Sequence, residues 1–283
     1  MKKTVQLICL CWLTSLSWVS HAQKPVYSVG VANFQANLSM AAQLNPILAW
    51  VGKRAGVELV MKSGYNFEDM QRHLARGEYD FYLGFPALQS DIRLGLGYEV
   101  IAGLIGTAQG AIIVQANSPY QQLSDLAGQE VVMGSAGVFI ANVLPTATLL
   151  EKGIAVVPRS VGNQESLVVE FKLGRFQAIA ANLAGFKRLI GSSQYPYRVL
   201  WESDPIANYP LLVRTNKVPE TLVKRVQQAF VDMVKDPEGR EILARSNQRP
   251  GVQWAGWVEA TNEDYAFAIK SYQQLSVTNV KRD

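Results

Sequence analysis

The stretch GSAGVFIANVLPTATLLEKGI, residues 134–154, puts four small residues directly ahead of an apolar, helix-like run. Gly134, Ser135, Ala136 and Gly137 bring one hydroxyl and almost no bulk. Glycines let a ligand approach the backbone closely, and the first turn of a helix carries N–H groups without intrahelical acceptors. With the positive end of the helix dipole, those donors can hold an anion without any lysine. The same residues also suit an ordinary strand-to-helix turn. A second helix start, VGNQES at 161–166, offers Asn163, Gln164, Glu165 and Ser166. Facing a ligand, Glu165 would repel an anion unless a cation intervened; facing outward, it simply favours a helix N-terminus. Other polar or aromatic candidates stand beside strand ends: Asn33 and Phe34, then Tyr82 and Phe85, which either wall a cleft or belong to a core. Gln109 in GTAQGA and Asn182 in IAANLAGF sit in apolar surroundings, where a buried amide needs a partner. A ligand or a helix cap would supply it. Ser203 and Asp204 lie in an extended segment that could line a cleft or a hinge.

Other chemistries are poorly served. Residues 1–22 have a basic start, an apolar middle and the small-x-small ending Ser20-His21-Ala22, the pattern of a secretory signal peptide cleaved after Ala22. Both cysteines, Cys9 and Cys11, lie inside that segment. The expected mature chain therefore has no disulfide or thiolate, one histidine (His73) and no Cys/His metal cluster. His73 stands among Arg72, Arg76 and Glu68 in a charged helix, so a Ser/His/Asp hydrolase is disfavoured. No nucleophile elbow, phosphate loop or dinucleotide glycine pattern occurs, and neither an enzyme nor a cofactor is expected. Losing Lys2 and Lys3 leaves 25 basic against 23 acidic residues, a net +2 that does not suggest nucleic acid.

The elements that would position these residues alternate. VYSVGVANF (26–34) and VELVMKS (57–63) read as strands around a helical segment at 38–56, which Pro46 is expected to break or restart. Asn66 is a plausible N-cap for the helix at 66–80, where Phe67, Met70 and Leu74 share a face, and FYLGFPAL (81–88) is the next strand. Such βαβ runs imply a mainly parallel sheet, with ligands at the strand ends. The scheme repeats from 111 to 190, with strands near 111–118, 129–133, 154–161 and 176–181 and helices between them. Residues 197–215 are extended and punctuated by proline. The clearest helix follows at 219–236, with Pro219 in its first turn and Leu222, Val226, Phe230 and Met233 on one stripe. Trp254 and Trp257 are expected to cover the first lobe.

GEYDFYLG, GAIIVQANSPYQQLSDLAGQEVVMG, a helix ending in LLEKGI, and LWESDPIANYPLLVRTNKVPETLVKRVQQAFVDMVKDPEGREIL follow one another in a fixed order. In that order, over roughly residues 26–245, the chain resembles the periplasmic phosphate/phosphonate-type substrate-binding proteins of ABC transporters. The resemblance implies a type II-like fold of two α/β lobes joined by two extended crossovers and closing on a small-molecule ligand. Lobe one would hold 23–107 and 209–283, and lobe two 108–208. It implies a monomeric periplasmic protein that serves a membrane ABC permease, or alternatively a sensor that reports to a membrane histidine kinase. It also implies an oxyanion on the turn that includes Ser135, Ala136 and Gly137. This chain departs from the family there, with Gly-Ser-Ala-Gly in place of a Ser-Thr-Ser-Gly-like order. It departs again at 161–166, where the family often has a His. A phosphonate with an amine tail would reconcile an oxyanion at Ser135 with a carboxylate at Glu165.

Overall fold

The structure, a computed structural model, describes residues 24–32, 35–85, 96–191, 195–249 and 251–280. The chain runs β1 (Val26–Val31), α1 (Asn37–Ala55), β2 (Glu58–Lys62), α2 (Phe67–Ala75), β3 (Phe81–Leu83) and β4 (Tyr98–Leu104). After β5 (Thr107–Ala108) come β6 (Gly110–Gln115), β7 (Glu130–Met133), α3 (Leu144–Glu151), β8 (Val157–Ser160), α4 (Gln164–Lys172), β9 (Ala178–Asn182), α5 (Leu183–Ile190) and β10 (Tyr197–Glu202). The remainder is β11 (Ile206–Ala207), β12 (Pro210–Arg214), α6 (Glu220–Asp232), α7 (Pro237–Ser246), β13 (Trp257–Glu259) and α8 (Ala266–Val280).

Two sheets organise these elements. One has the order β13-β4-β12-β3-β1-β2, the other β10-β6-β9-β7-β8, and β5 and β11 pair alone as a short ribbon. The α/β class is as expected, but neither sheet is mainly parallel. The β1–β2, β1–β3, β7–β8 and β7–β9 pairs are parallel, as consecutive βαβ units require. Pairs made by β12, β13, β6 and β10 are antiparallel. Of those strands, β6, β10 and β12 adjoin the ribbon in sequence, and β13 joins β4 at the sheet edge after α7.

Each sheet is covered by apolar helix faces. Helix α1 presents Leu44, Ile47, Leu48 and Val51 to the first sheet, and Val226, Phe230, Trp254 and Trp257 fill the same core. Phe230 and Trp257 lie edge to face at 4.8 Å. In the second sheet Ile113, Val132 and Ile179 pack with Leu167, Phe171 and Phe186 on one face, and Ile112, Val114 and Met133 with Leu149 on the other. Pro46 neither breaks nor restarts α1, which runs unbroken through it. Pro46 is on the exposed face of the helix, away from the core that α1 covers. Pro219 is the N-cap residue of α6, one position earlier than expected. Among the described residues no helix is long and apolar enough to cross a membrane.

Candidate functional site

Residues 134–143 form an unusual helix start. Strand β7 ends at Met133, the chain turns through Gly137 at φ +88°, and a π-helical turn spans Phe139–Val143 before α3. Its N-cap residue, Val138, has no side chain able to accept a hydrogen bond. A π-helical turn bonds each N–H five residues back, leaving one more donor unpaired than an α-helix does. Here the Gly134 carbonyl is taken by the Asn142 side chain at 2.8 Å, and the Ser135 carbonyl accepts from Val138 at 3.0 Å. The backbone N–H groups of Ser135, Ala136, Gly137 and of Phe139 to Asn142 meet no acceptor among the described residues.

Several of these groups border a cavity of about 50 Å³. Gly134, Ser135 and Val138 to Ala141 form one wall, and Asn163, Gln164, Leu167 and Asn182 another. Ala32, Phe67, Phe85 and Tyr209 close it from the side of the first sheet. Among the described residues no charged side chain lines it. Two more helix N-termini face it, each closed by its own asparagine: Asn163 accepts from Ser166 N–H at 2.9 Å and Asn182 from Gly185 N–H at 2.9 Å. Gln164 locks these two helices together. Its side-chain N–H donates to the Asn182 carbonyl at 3.0 Å and its side-chain oxygen accepts from Asn182 N–H at 3.1 Å. The Asn182 amide donates to the Tyr209 hydroxyl at 3.4 Å. Burial pushes the Tyr209 phenol up to about 12, against the opposing effects of the Asn182 bond and the Arg188 charge, so it stays neutral at physiological pH.

Phe139 carries the second sheet's side of the cavity into an aromatic cluster on the first. Its ring lies 4.8 Å from Phe85, 5.5 Å from Tyr272 and 5.7 Å from Phe267. The Tyr272 hydroxyl donates to the Gly137 carbonyl at 2.8 Å, tying α8 to the turn.

Of the sequence candidates, Phe85, Ser135, Gln164 and Asn182 converge on this cavity. The Ser135 hydroxyl donates to the Gly162 carbonyl at 3.2 Å. Ala136 is exposed, and neither it nor Gly137 borders the cavity, though Gly137 supplies the positive φ of the turn. Gln109 and Ser203 do not reach it. Gln109 donates to the Ser203 carbonyl at 2.8 Å and the Ser203 hydroxyl accepts from Gly110 N–H at 3.1 Å, so both tie the crossovers together. Glu165 points away from the cavity, and its carboxylate accepts from Ala36 N–H at 3.3 Å. Tyr82 is fully buried in the core rather than at a cleft wall. Asn33 and Phe34 lie outside the described residues. Sequence reasoning missed Phe67, Phe139 and Tyr209. The aromatic of IANYPLL, placed between a crossover and a strand, was the one legible hint of Tyr209.

A family model described as ABC transporter, phosphonate, periplasmic substrate-binding protein matches residues 29–265. The chain belongs to this family. It is a family of periplasmic solute-binding proteins that work with ABC permeases, and not of enzymes. Among solved structures, a binding-protein component of an ABC phosphonate transporter from Pseudomonas aeruginosa is similar, with 14% identity, TM-score 0.74, and 89% of this chain and 87% of that one covered. PhnD1 from Prochlorococcus marinus in complex with methylphosphonate is similar at 14% identity and TM-score 0.74, over 89% and 98%. A protein from Xanthomonas citri bound to ATP is similar at 16% identity and TM-score 0.72, again over 89% and 98%. At these identities the structural likeness speaks for the two-lobe fold alone. A comparison with curated protein sequences gives no match.

Proposed function

We propose that this chain captures a small oxyanion of the phosphate or phosphonate kind on the 134–142 turn and delivers it to a membrane ABC permease. The observation that carries this reading is the run of backbone N–H groups that meet no acceptor, beside a cavity lined by no charged side chain, among the described residues. In such a place an anion is held by fixed dipoles rather than by a mobile cation. Family membership supports the transport role, and the methylphosphonate carried by PhnD1 is a ligand of suitably few atoms for a cavity of about 50 Å³. In this reading residues 23–107 and 209–283 form lobe one and 108–208 lobe two. The β5–β11 ribbon is the hinge, and the bonds from Tyr272 to Gly137 and from Ala36 to Glu165 form on closure.

The test is calorimetry of the chain from Gln23 onward with methylphosphonate and inorganic phosphate, alongside small-angle scattering. One ligand per monomer, no turnover and a smaller radius of gyration with ligand are expected. Absence of binding at millimolar concentration, or identical scattering at saturation, overturns the reading. Stimulation of ATP hydrolysis by a reconstituted permease would separate uptake from delivery to a sensor kinase.

A further inference from the structure

Beyond the wall made by Gln164, Asn182 and Tyr209 lies a second pocket, of about 220 Å³. It holds the charges that the smaller cavity lacks: Glu165 from α4 and Arg188 from α5. Some arginines of the fold are satisfied by carboxylates, as Arg54 is by Asp236, Arg72 by Asp69 and Arg175 by Glu170. Others are satisfied by backbone carbonyls outside either pocket, as Arg214 is by Leu96 and Gly77 and Arg225 by Ala55. Arg188 donates from Nε to the Gly251 carbonyl at 2.9 Å, and no carboxylate pairs with it among the described residues. Both terminal nitrogens of its fork remain for another acceptor. Glu165 spends one carboxylate oxygen on Ala36 N–H and pairs with no cation among the described residues. Thus, among the described residues, the pocket presents one cation and one anion, neither paired with an opposite charge, next to the proposed oxyanion seat.

A guanidinium fork matches a carboxylate, and a carboxylate matches an ammonium. We propose that this pocket seats an α-amino-acid head, its carboxylate on Arg188 and its ammonium against Glu165, so that the ligand is an ω-phosphono-α-amino acid spanning both cavities. The proposal rests on the oxyanion reading above and extends it from a headgroup to a ligand class. Gln164, Asn182 and Tyr209 border both spaces, so the span is short, and the ligand would pass between Asn182 and Tyr209 by displacing their long bond of 3.4 Å. Arg188 stays solvent-accessible at the mouth of the pocket, yet desolvation holds its guanidinium below the ordinary value, the Tyr209 side chain acting in the opposite sense. An anion at the fork would replace the hydration already lost.

Four compounds separate the contributions: methylphosphonate, 2-aminoethylphosphonate, 3-phosphonopropionate and 2-amino-4-phosphonobutyrate. By calorimetry, each added charge is expected to tighten binding about tenfold, with the last compound tightest. Arg188→Gln should collapse the ratio between 3-phosphonopropionate and methylphosphonate towards one. Glu165→Gln should do so for 2-aminoethylphosphonate. Thermal melts of both variants check that they fold. Equal affinities for all four compounds, or ratios that persist in both variants, overturn this inference alone. If none of the four binds at millimolar concentration, the oxyanion seat falls and the inference falls with it.

Discussion

The helix that begins at Phe139 and the helices that begin at Phe67, Gln164 and Leu183 solve the same problem in opposite ways. The latter three are preceded by Asn66, Asn163 and Asn182, whose side-chain oxygens accept from the N–H three residues on, at 2.8 to 2.9 Å. Their first turns are satisfied within the chain. At Val138 there is no such oxygen, and the π-helical turn widens the set of open donors. Of these four helix starts the fold thus closes three and leaves one bare; α1 and α6 also begin without a side-chain cap, but their first turns do not border the cavity. An uncapped end costs stability, so a bare one beside a cavity marks the place for an acceptor from outside.

The most direct way to break this contrast is to install the missing cap. Val138→Asp should bring a carboxylate to the open donors and weaken methylphosphonate binding at least ~100-fold, about 2.7 kcal/mol, while the empty protein remains folded. Unaltered affinity in calorimetry would make the turn purely structural.

Acid sets the seat apart from the scaffold around it, because no carboxylate among the described residues lines the cavity. In the first sheet the buried Asp80 accepts from Ser28 N–H and Oγ at 2.8 Å each and pairs with Lys217 at 2.7 Å. Burial alone would raise its carboxyl, but the Lys217 pair and the Ser28 bonds outweigh that and hold it below the ordinary 3.8. A depressed folded-state value stabilises the fold above the unfolded one, and that stability is lost as the pH falls below 3.8 through the folded value. Asp80→Asn should cost about 2 kcal/mol at neutral pH and flatten this acid limb in denaturant titrations. An unflattened limb would remove Asp80 from the account.

Gly137→Ala tests the turn's backbone. The φ of +88° is unfavourable for any side chain, and a Cβ there would come within 3.1 Å of the Phe67 ring. A loss of about 1–2 kcal/mol is expected in thermal melts. Asn66→Ala should give the smallest change, about 1 kcal/mol from a lost cap, without altering ligand affinity. A change in affinity comparable with that of Val138→Asp would erase the distinction between closed and open helix starts.

Much of this was legible in one dimension. The alternation of strands and helices, the cap at Asn66 and the small-residue turn at 134–137 all follow from short-range patterns, whereas for Asn182 the sequence left a cap and a ligand contact equally open. Periodicity, capping and glycine backbone freedom act over four or five residues and can be read locally. Gln109 and Ser203 misled because the polar atom that satisfies Gln109 is 94 residues away. Sequence shows that such an amide needs a partner, and only the pairing of β5 with β11 reveals that another segment of the chain provides it. The mixed sheets, the insertion of Phe139 among Phe85, Phe267 and Tyr272, and the meeting of Glu165 with Arg188 in one pocket were likewise decided by the tertiary structure. Each depends on which strands the two crossovers bring side by side. That choice is set by the burial of both sheets at once, and no local stretch of sequence contains it.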